Sequence, residues 1–406
     1  MNYQTQNIQI ELHSPLLLGT DREYAIFQET RDYIPGSVLR GSLARLLQDA
    51  TTAQSLETLF NPTTTQPIFE HLYAVSGGER EYTHPLPLSA RTCKHNGGFK
   101  EQSKNHGIGD ILIRQTVYEQ ALLNRAKLPY LYEPVCPECK VDVDRPSLTY
   151  YETTNSTYRS VSVPVRRLAR TAINRRRYTA ADQLLYTLET IEPGQMKGVD
   201  PNKLRFRGAI HYISPHQSIL ENYLPQVQWL GRGRSRGLGQ ITLEFLQTAP
   251  EQPSLTERID KFNQEIWSEW HFYGRTAEAP LPPADTLLFS LDLLSPAVFT
   301  RYGLPTAQPD LSDFGFKPEQ KVTIYRAFTD QHMIGGWHLG AKLPRRTMLA
   351  VSAGSVYVIG VQGLSLSELV DLLEPIETTG LGHERERGLG RVFISSPFHY
   401  QPEVTL

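Results

Sequence analysis

The chain opens on strict alternation. Ile8, Ile10 and Leu12 are apolar, and Gln9, Glu11 and His13 between and after them are polar, the period-two pattern of a half-buried strand. Ser14-Pro15 ends it. Ile34-Pro35-Gly36-Ser37 then precedes Leu39, Leu43, Leu46 and Leu47, leucines that share one helical face, with Ser37 in the N-cap position. Residues 51–135 are rich in Thr, Gly, His and Pro and give no ordered pattern beyond a short strand or helix within 110–123. From Ser156 onward, Tyr158, Val161, Val163 and Val165 read as strand. Further strands are expected over 184–191, 206–213, 241–245, 287–293, 352–359 and 392–394, and helices over 218–226, 255–270 and 365–373. Five prolines surround the helix of 255–270, which marks 247–285 as a linker between domains.

The two halves echo each other. Leu230-Gly231-Arg232-Gly233-Arg234-Ser235-Arg236-Gly237-Leu238-Gly239 aligns with Leu381-Gly382-His383-Glu384-Arg385-Glu386-Arg387-Gly388-Leu389-Gly390. Each copy follows a short helix and precedes a strand. Leu12-His13-Ser14-Pro15-Leu16 resembles Leu293-Leu294-Ser295-Pro296-Ala297. Two similar α+β domains are the economical explanation.

Glycines in such loops permit positive φ and close backbone approach. The arginines supply bidentate donors suited to phosphate. A dinucleotide fold is excluded by order, because there the glycines follow a strand and precede a helix; no Gly-Lys-Ser/Thr phosphate loop is present. The competing reading is a glycine-rich hairpin with solvated arginines.

The 406 residues suffice for two to three domains. With 39% hydrophobic and 21% charged residues, bulk disorder and fibrous repeats are excluded. No apolar run approaches the ~18 residues of a membrane helix, and the polar start carries no secretory leader, so a soluble cytoplasmic protein is expected. A net charge of −2 cannot draw the whole molecule onto a polyanion, so any nucleic-acid site must be local. One segment qualifies: residues 159–177 hold Arg159, Arg166, Arg167, Arg170, Arg175, Arg176 and Arg177 and no acid, flanked by Tyr158 and Tyr178, rings of the kind that stack on bases. A solvated basic face, or one that meets an acidic protein, is the alternative.

The three cysteines fall between 93 and 139, and Cys136-Pro137-Glu138-Cys139 forms a C-x-x-C knuckle. Cys93, His106, Cys136 and Cys139 are the candidate ligands of a structural zinc, with His95 as the alternative to His106. A redox pair or free thiols compete with that reading.

Ile34-Pro35-Gly36-Ser37-Val38-Leu39-Arg40-Gly41 resembles the helix start of the RAMP superfamily of CRISPR-associated proteins, and the paired glycine loops resemble that superfamily's glycine-rich loop. The knuckle and the length are similar to the large Cas-five-like subunit of type III-D effectors. The resemblance implies an α+β chain of two ferredoxin-like (RRM-like) RAMP domains with a zinc-knuckle insertion in the first. The expected division is 1–246 with the insertion at about 61–150 (knuckle 93–139), a linker over 247–285, and 286–406. It implies a non-catalytic subunit that binds the 5′ handle of CRISPR RNA and docks on other RAMP effector subunits, with target RNA a further partner. Carried onto this chain, Ser37, Arg40, Arg232, Arg234, Arg236, Arg385 and Arg387 lie near RNA, together with Arg166, Arg167, Arg175, Arg176 and Arg177 of the arginine segment. Glu384 and Glu386 depart from the pattern and point to interdomain packing or a protein contact for the second loop.

The alternative function is a metal-independent guide-RNA-processing endoribonuclease of the same superfamily. His13, His71, His84, His211, His332 and His338 are available as acid or base, and Asp21 or Asp32 could mimic a target-cutting aspartate, but they form no recognisable constellation in the sequence.

Overall fold

The computed structural model describes the whole chain apart from residues 1, 21–26, 50–52, 77–81, 102, 129–130, 155–156, 175, 195–203, 248–251 and 339–341. In chain order, the elements that build the two sheets and the arms beside them are β1 (Gln4–Leu12), α1 (Gly36–Asp49), β2 (Ile68–Phe69), β3 (Tyr73–Val75), β4 (Val165–Asn174), β5 (Thr179–Ile191), β6 (Arg205–Tyr212), α2 (Gln217–Tyr223) and β7 (Ile241–Leu246). There follow α3 (Leu255–Ala277), β8 (Leu287–Leu293), β9 (Val322–Phe328), β10 (Gln331–Ile334), β11 (Met348–Val351), β12 (Val356–Val361), α4 (Leu366–Thr379) and β13 (Val392–Ile394).

The first sheet is antiparallel in the order β7–β1–β6–β2, with β3 also on β6. The apolar phase of β1 does what alternation predicts: Ile8, Ile10 and Leu12 are buried in one core with Leu39, Leu43 and Leu47 of α1. Helix α1 begins one residue before Ser37, which therefore sits in its first turn rather than at its cap.

The second sheet repeats the order as β9–β12–β8–β13, again antiparallel. Here both faces are covered. Phe289, Leu291, Tyr357 and Ile359 pack with Leu369 and Leu373 of α4. Leu288, Val356 and Val358 pack on the other side with Phe262, Ile266 and Trp270 of α3, and with Leu112 and Val117 of the helix Leu112–Leu123. Burial on both faces explains the unbroken apolar run of β12. Most of the proline-flanked stretch 247–285 is thus a packed helix, started by a capping box between Ser254 and Glu257. The strand expected over 352–359 begins at Val356, because the chain turns through Gly354 at φ +81° first. No described helix is long and apolar enough to cross a membrane.

The cysteine-bearing segment is latched to the second sheet through charge. His399 is buried between Asp110, 2.9 Å from Nδ1, and Asp292, 2.6 Å from Nε2. Ser89 and Ser290 donate to the same two carboxylates. Burial alone would lower the His399 pKa, but Asp292 and Asp110 outweigh it and push it up to about 10. A folded value above the unfolded one, ordinarily about 6.5, means stabilisation that is complete below that pH and lost as pH rises toward 10. Urea unfolding of the intact chain is therefore expected to give a free energy that falls between pH 7 and 10. The fall should shrink in His399→Gln, and a flat wild-type profile over that window would contradict the latch.

Candidate nucleic-acid interface and metal centre

The two glycine loops are built on the same set of backbone hydrogen bonds. In the first, Arg232 N donates to Leu17 O (3.0 Å), Gly239 N to Pro15 O (2.8 Å) and Gln240 N to Ser14 Oγ (2.8 Å). In the second, His383 N donates to Val298 O (3.0 Å), Gly390 N to Pro296 O (2.8 Å) and Arg391 N to Ser295 Oγ (2.9 Å). Positive φ recurs at four matching places: Gly231, Gly233, Gly237 and Gly239, then Gly382, Glu384, Gly388 and Gly390. The requirement is steric at Gly239, where a Cβ would lie 2.0 Å from Leu230 O.

Arg232, Arg234 and Arg236 of the first loop are all exposed. The Arg234 guanidinium lies over Trp229 (5.4 Å), and that of Arg236 over Tyr186 (5.7 Å), where Nη1 also donates to the phenol oxygen at 3.2 Å. Tyr186 is on β5, directly opposite Arg170 of β4. Alternation puts Arg166, Leu168 and Arg170 on that same face. Leu17, Leu168, Leu188 and Leu238 pack together beneath, fastening the β4–β5 ribbon to the loop. The arginine segment and the first loop therefore form one exposed surface. Arg167 is on the opposite ribbon face, 3.2 Å from Glu189 and over Phe27. Arg176 and Arg177 are in the turn at the ribbon's far end, and Arg175 lies outside the described residues. Sequence reasoning missed Trp229 and Tyr186, the rings that hold the loop arginines. The only available signal was an aromatic next to the glycine run and another in a predicted strand.

The second loop is placed differently. It packs on β2 and α1, and a Cβ on Gly388 would come within 2.5 Å of both Phe69 O and His71 Nδ1. Arg387 pairs with Glu384, while Arg385 is exposed. Arg40 is half-buried, donates to Gln66 Oε1 at 2.7 Å and lies over Phe60 at 4.8 Å. Burial lowers its pKa, Glu386 opposes that and Arg345 adds to it. Ser37 and Arg40 thus gather with the second loop, at the seam between the two sheets. Beneath them Glu70 accepts from Arg391 (2.5 Å), His211 (2.7 Å) and Ala209 N (3.0 Å). Burial would raise the Glu70 carboxyl, but Arg391 and His211 bring it down to about 2.

The histidines and aspartates considered for catalysis are dispersed. His71 accepts from Gly36 N at 3.2 Å and is lowered to about 3 by burial. His84 is wedged beside Tyr151 and Phe393 and lowered to about 4 by burial. His211 is committed to Glu70, His13 bonds Thr242 and His332 bonds Ser352; His338 is exposed on a short strand of the second half. Asp32 accepts from the Tyr150 hydroxyl at 2.9 Å, and Asp21 lies outside the described residues.

The cysteines do converge. One ligand atom from each of Cys93, His106, Cys136 and Cys139 lies within 4.8 Å of the others. Cys93 and Cys139 sulfurs are 3.4 Å apart, and His106 Nδ1 is 3.3 Å from Cys136 Sγ. These separations suit the edges of a small tetrahedron around one metal ion. The strands Ala90–Cys93 and Val143–Asp144 bring the two sides together. The knuckle is closed by Cys136 N to Val141 O and Lys140 N to Cys136 O, with Lys140 at φ +59°. Burial pushes the Cys93 thiol up, but the Asn96 and His95 N–H groups and the neighbouring thiols outweigh it and bring it to about 6. His106 joins the sulfurs; the His95 side chain is exposed and outside the cluster.

No curated protein sequence matches the chain. Among solved structures, it is similar to a chain of the Type III-B Cmr-beta bound to cognate target RNA and AMPPnP (11% identity, 87% of this chain and 86% of that one, TM-score 0.37). It is also similar to a chain of a Type IV-B CRISPR complex (13% identity, 62% of this chain and 94% of that one, TM-score 0.27). The RAMP superfamily profile matches residues 9–242, and that of the CRISPR-associated protein family Cas_Cmr3 matches 169–397. Each spans more than half of the sequence, so the chain belongs to the RAMP superfamily and, within it, to the Cas_Cmr3 family of CRISPR-associated proteins.

Proposed function

We propose that the chain is a non-catalytic CRISPR-RNA-binding subunit of a type III antiviral effector in the cytoplasm, which holds the 5′ handle of the guide and docks on other RAMP subunits. The subtype it resembles is III-D. The observation that carries the reading is the joint surface of Arg170, Arg234 and Arg236 with Tyr186 and Trp229. Cations seated on aromatic faces beside a flexible backbone are what a sugar-phosphate chain needs. The two sheets of matching strand order support two ferredoxin-like RAMP domains, 1–246 and 286–406, with α3 of the intervening segment packed on the second. The Cys93, His106, Cys136 and Cys139 cluster holds a structural zinc, since four protein ligands leave no open position.

Replacing Arg232, Arg234 and Arg236 by Ala is expected to weaken binding of handle RNA and flatten its salt dependence, by about 0.7 in log–log slope for each phosphate no longer neutralised; an unchanged slope removes the loop assignment. Metal analysis should return about one zinc per chain, with the cysteines protected from alkylation until a chelator is added; freely alkylated cysteines in the native protein would remove the zinc. Labelled repeat RNA incubated without metal should stay intact. Discrete cleavage abolished by a His→Ala change would replace this function with that of a guide-processing endoribonuclease.

A further inference from the structure

The second half carries an arm that the function above leaves unused. Strands β10 and β11 pair from Gln331 with Val351 to Ile334 with Met348, and Trp337 and His338 pair with Pro344 and Leu343 beyond them. The root of this arm repeats that of β4–β5. Ala297 and Val351 exchange two backbone hydrogen bonds (2.9 and 2.8 Å), as Leu16 and Ile191 do (both 2.8 Å). Val298, Ile334, Met348 and Leu389 pack as Leu17, Leu168, Leu188 and Leu238 pack. Counting back equally from Val351 and Ile191, Arg346 takes the place of Tyr186.

The composition is one-sided, as it is over residues 159–177, though with fewer cations. Residues 331–367 include Lys342, Arg345 and Arg346 and no acid. Lys342 and Arg346 are exposed, and Trp337 is 50% exposed. Arg345 is half-buried and feels Glu386, which ties the arm to the second glycine loop. An indole left half in water on a strand, in a segment that carries cations and no acid, fits a single-stranded nucleic acid, in which every unit offers a ring beside a phosphate, better than an acidic peptide, in which the two coincide only by sequence.

We propose that this arm is a second site for single-stranded RNA, with Trp337 stacking on a base and Lys342 and Arg346 on the adjoining phosphates. It rests on the reading of the chain as an RNA-binding subunit and doubles the surface that reading supplies.

The test is filter binding of the full-length chain to a labelled unstructured single-stranded RNA across a salt series, with a thermal melt to show that each variant is folded. Trp337→Ala should lose roughly 5- to 150-fold in affinity, the equivalent of one base stack at about 1–3 kcal/mol, and Trp337→Phe should recover most of it. Lys342→Ala with Arg346→Ala should lower the salt slope by about 1.4, in addition to the effect of Arg234→Ala with Arg236→Ala. If the first-loop variants weaken binding and the Trp337 and Lys342/Arg346 variants do not, the second site is overturned and the subunit's function stands. If the wild-type chain has no affinity for RNA at low salt, both fall.

Discussion

The fold turns on one clamp, made twice. A strand runs into Ser-Pro, and the serine hydroxyl, the proline carbonyl and the carbonyl two residues on accept N–H groups from a loop with four left-handed positions. The clamp fixes where the loop leaves the helix and enters the edge strand. It also fixes the root of the neighbouring ribbon, since Leu16 and Ala297 bond that ribbon one residue before Leu17 and Val298 bond the loop. Loop, ribbon and sheet edge are therefore set by a few backbone hydrogen bonds, while the side chains of the loop stay free to diverge.

They have diverged in opposite directions. Where the first loop has Gly233 and Ser235, the second has Glu384 and Glu386. Glu384 tolerates the same left-handed backbone and pairs with Arg387. Glu386 faces Arg40 and Arg345, two cations that burial would otherwise penalise. The second copy thus turns Glu386 toward α1 and the arm and pairs Arg387 within the loop, while Arg385 stays exposed. The arginines of the first copy instead lie outward on Trp229 and Tyr186. One inherited geometry serves as a joint in one half and as a cationic surface in the other.

This contrast also marks what was legible in the sequence. The loops, the strands β1, β6, β7, β8 and β13, and the helices α1, α3 and α4 follow from local pattern, because each carries its own periodicity or cap. The clustering of Cys93, Cys136 and Cys139 was recoverable because C-x-x-C spacing and a single upstream cysteine leave few combinations, while the choice of His106 over His95 needed the structure. The partnership of Arg236 with Tyr186 was not, because it depends on the register of β4 against β5 and on a leucine cluster drawn from separate segments. The His399 latch was equally hidden: Asp110, Asp292 and His399 are far apart in sequence and only the packing of the second sheet brings them together.

Net charge hides the site for a related reason. At physiological ionic strength a charge is screened over about 8 Å, so a phosphate responds to its neighbourhood rather than to the molecular total of −2. The acids of α3, among them Glu257, Asp260 and Glu265, sit on the solvent side of a helix that belongs to the second sheet. The cations of the first loop are gathered at the edge of the first sheet, where β7 begins. A near-neutral chain with its charges sorted in this way presents positive potential at chosen places only, which a uniformly basic surface could not do.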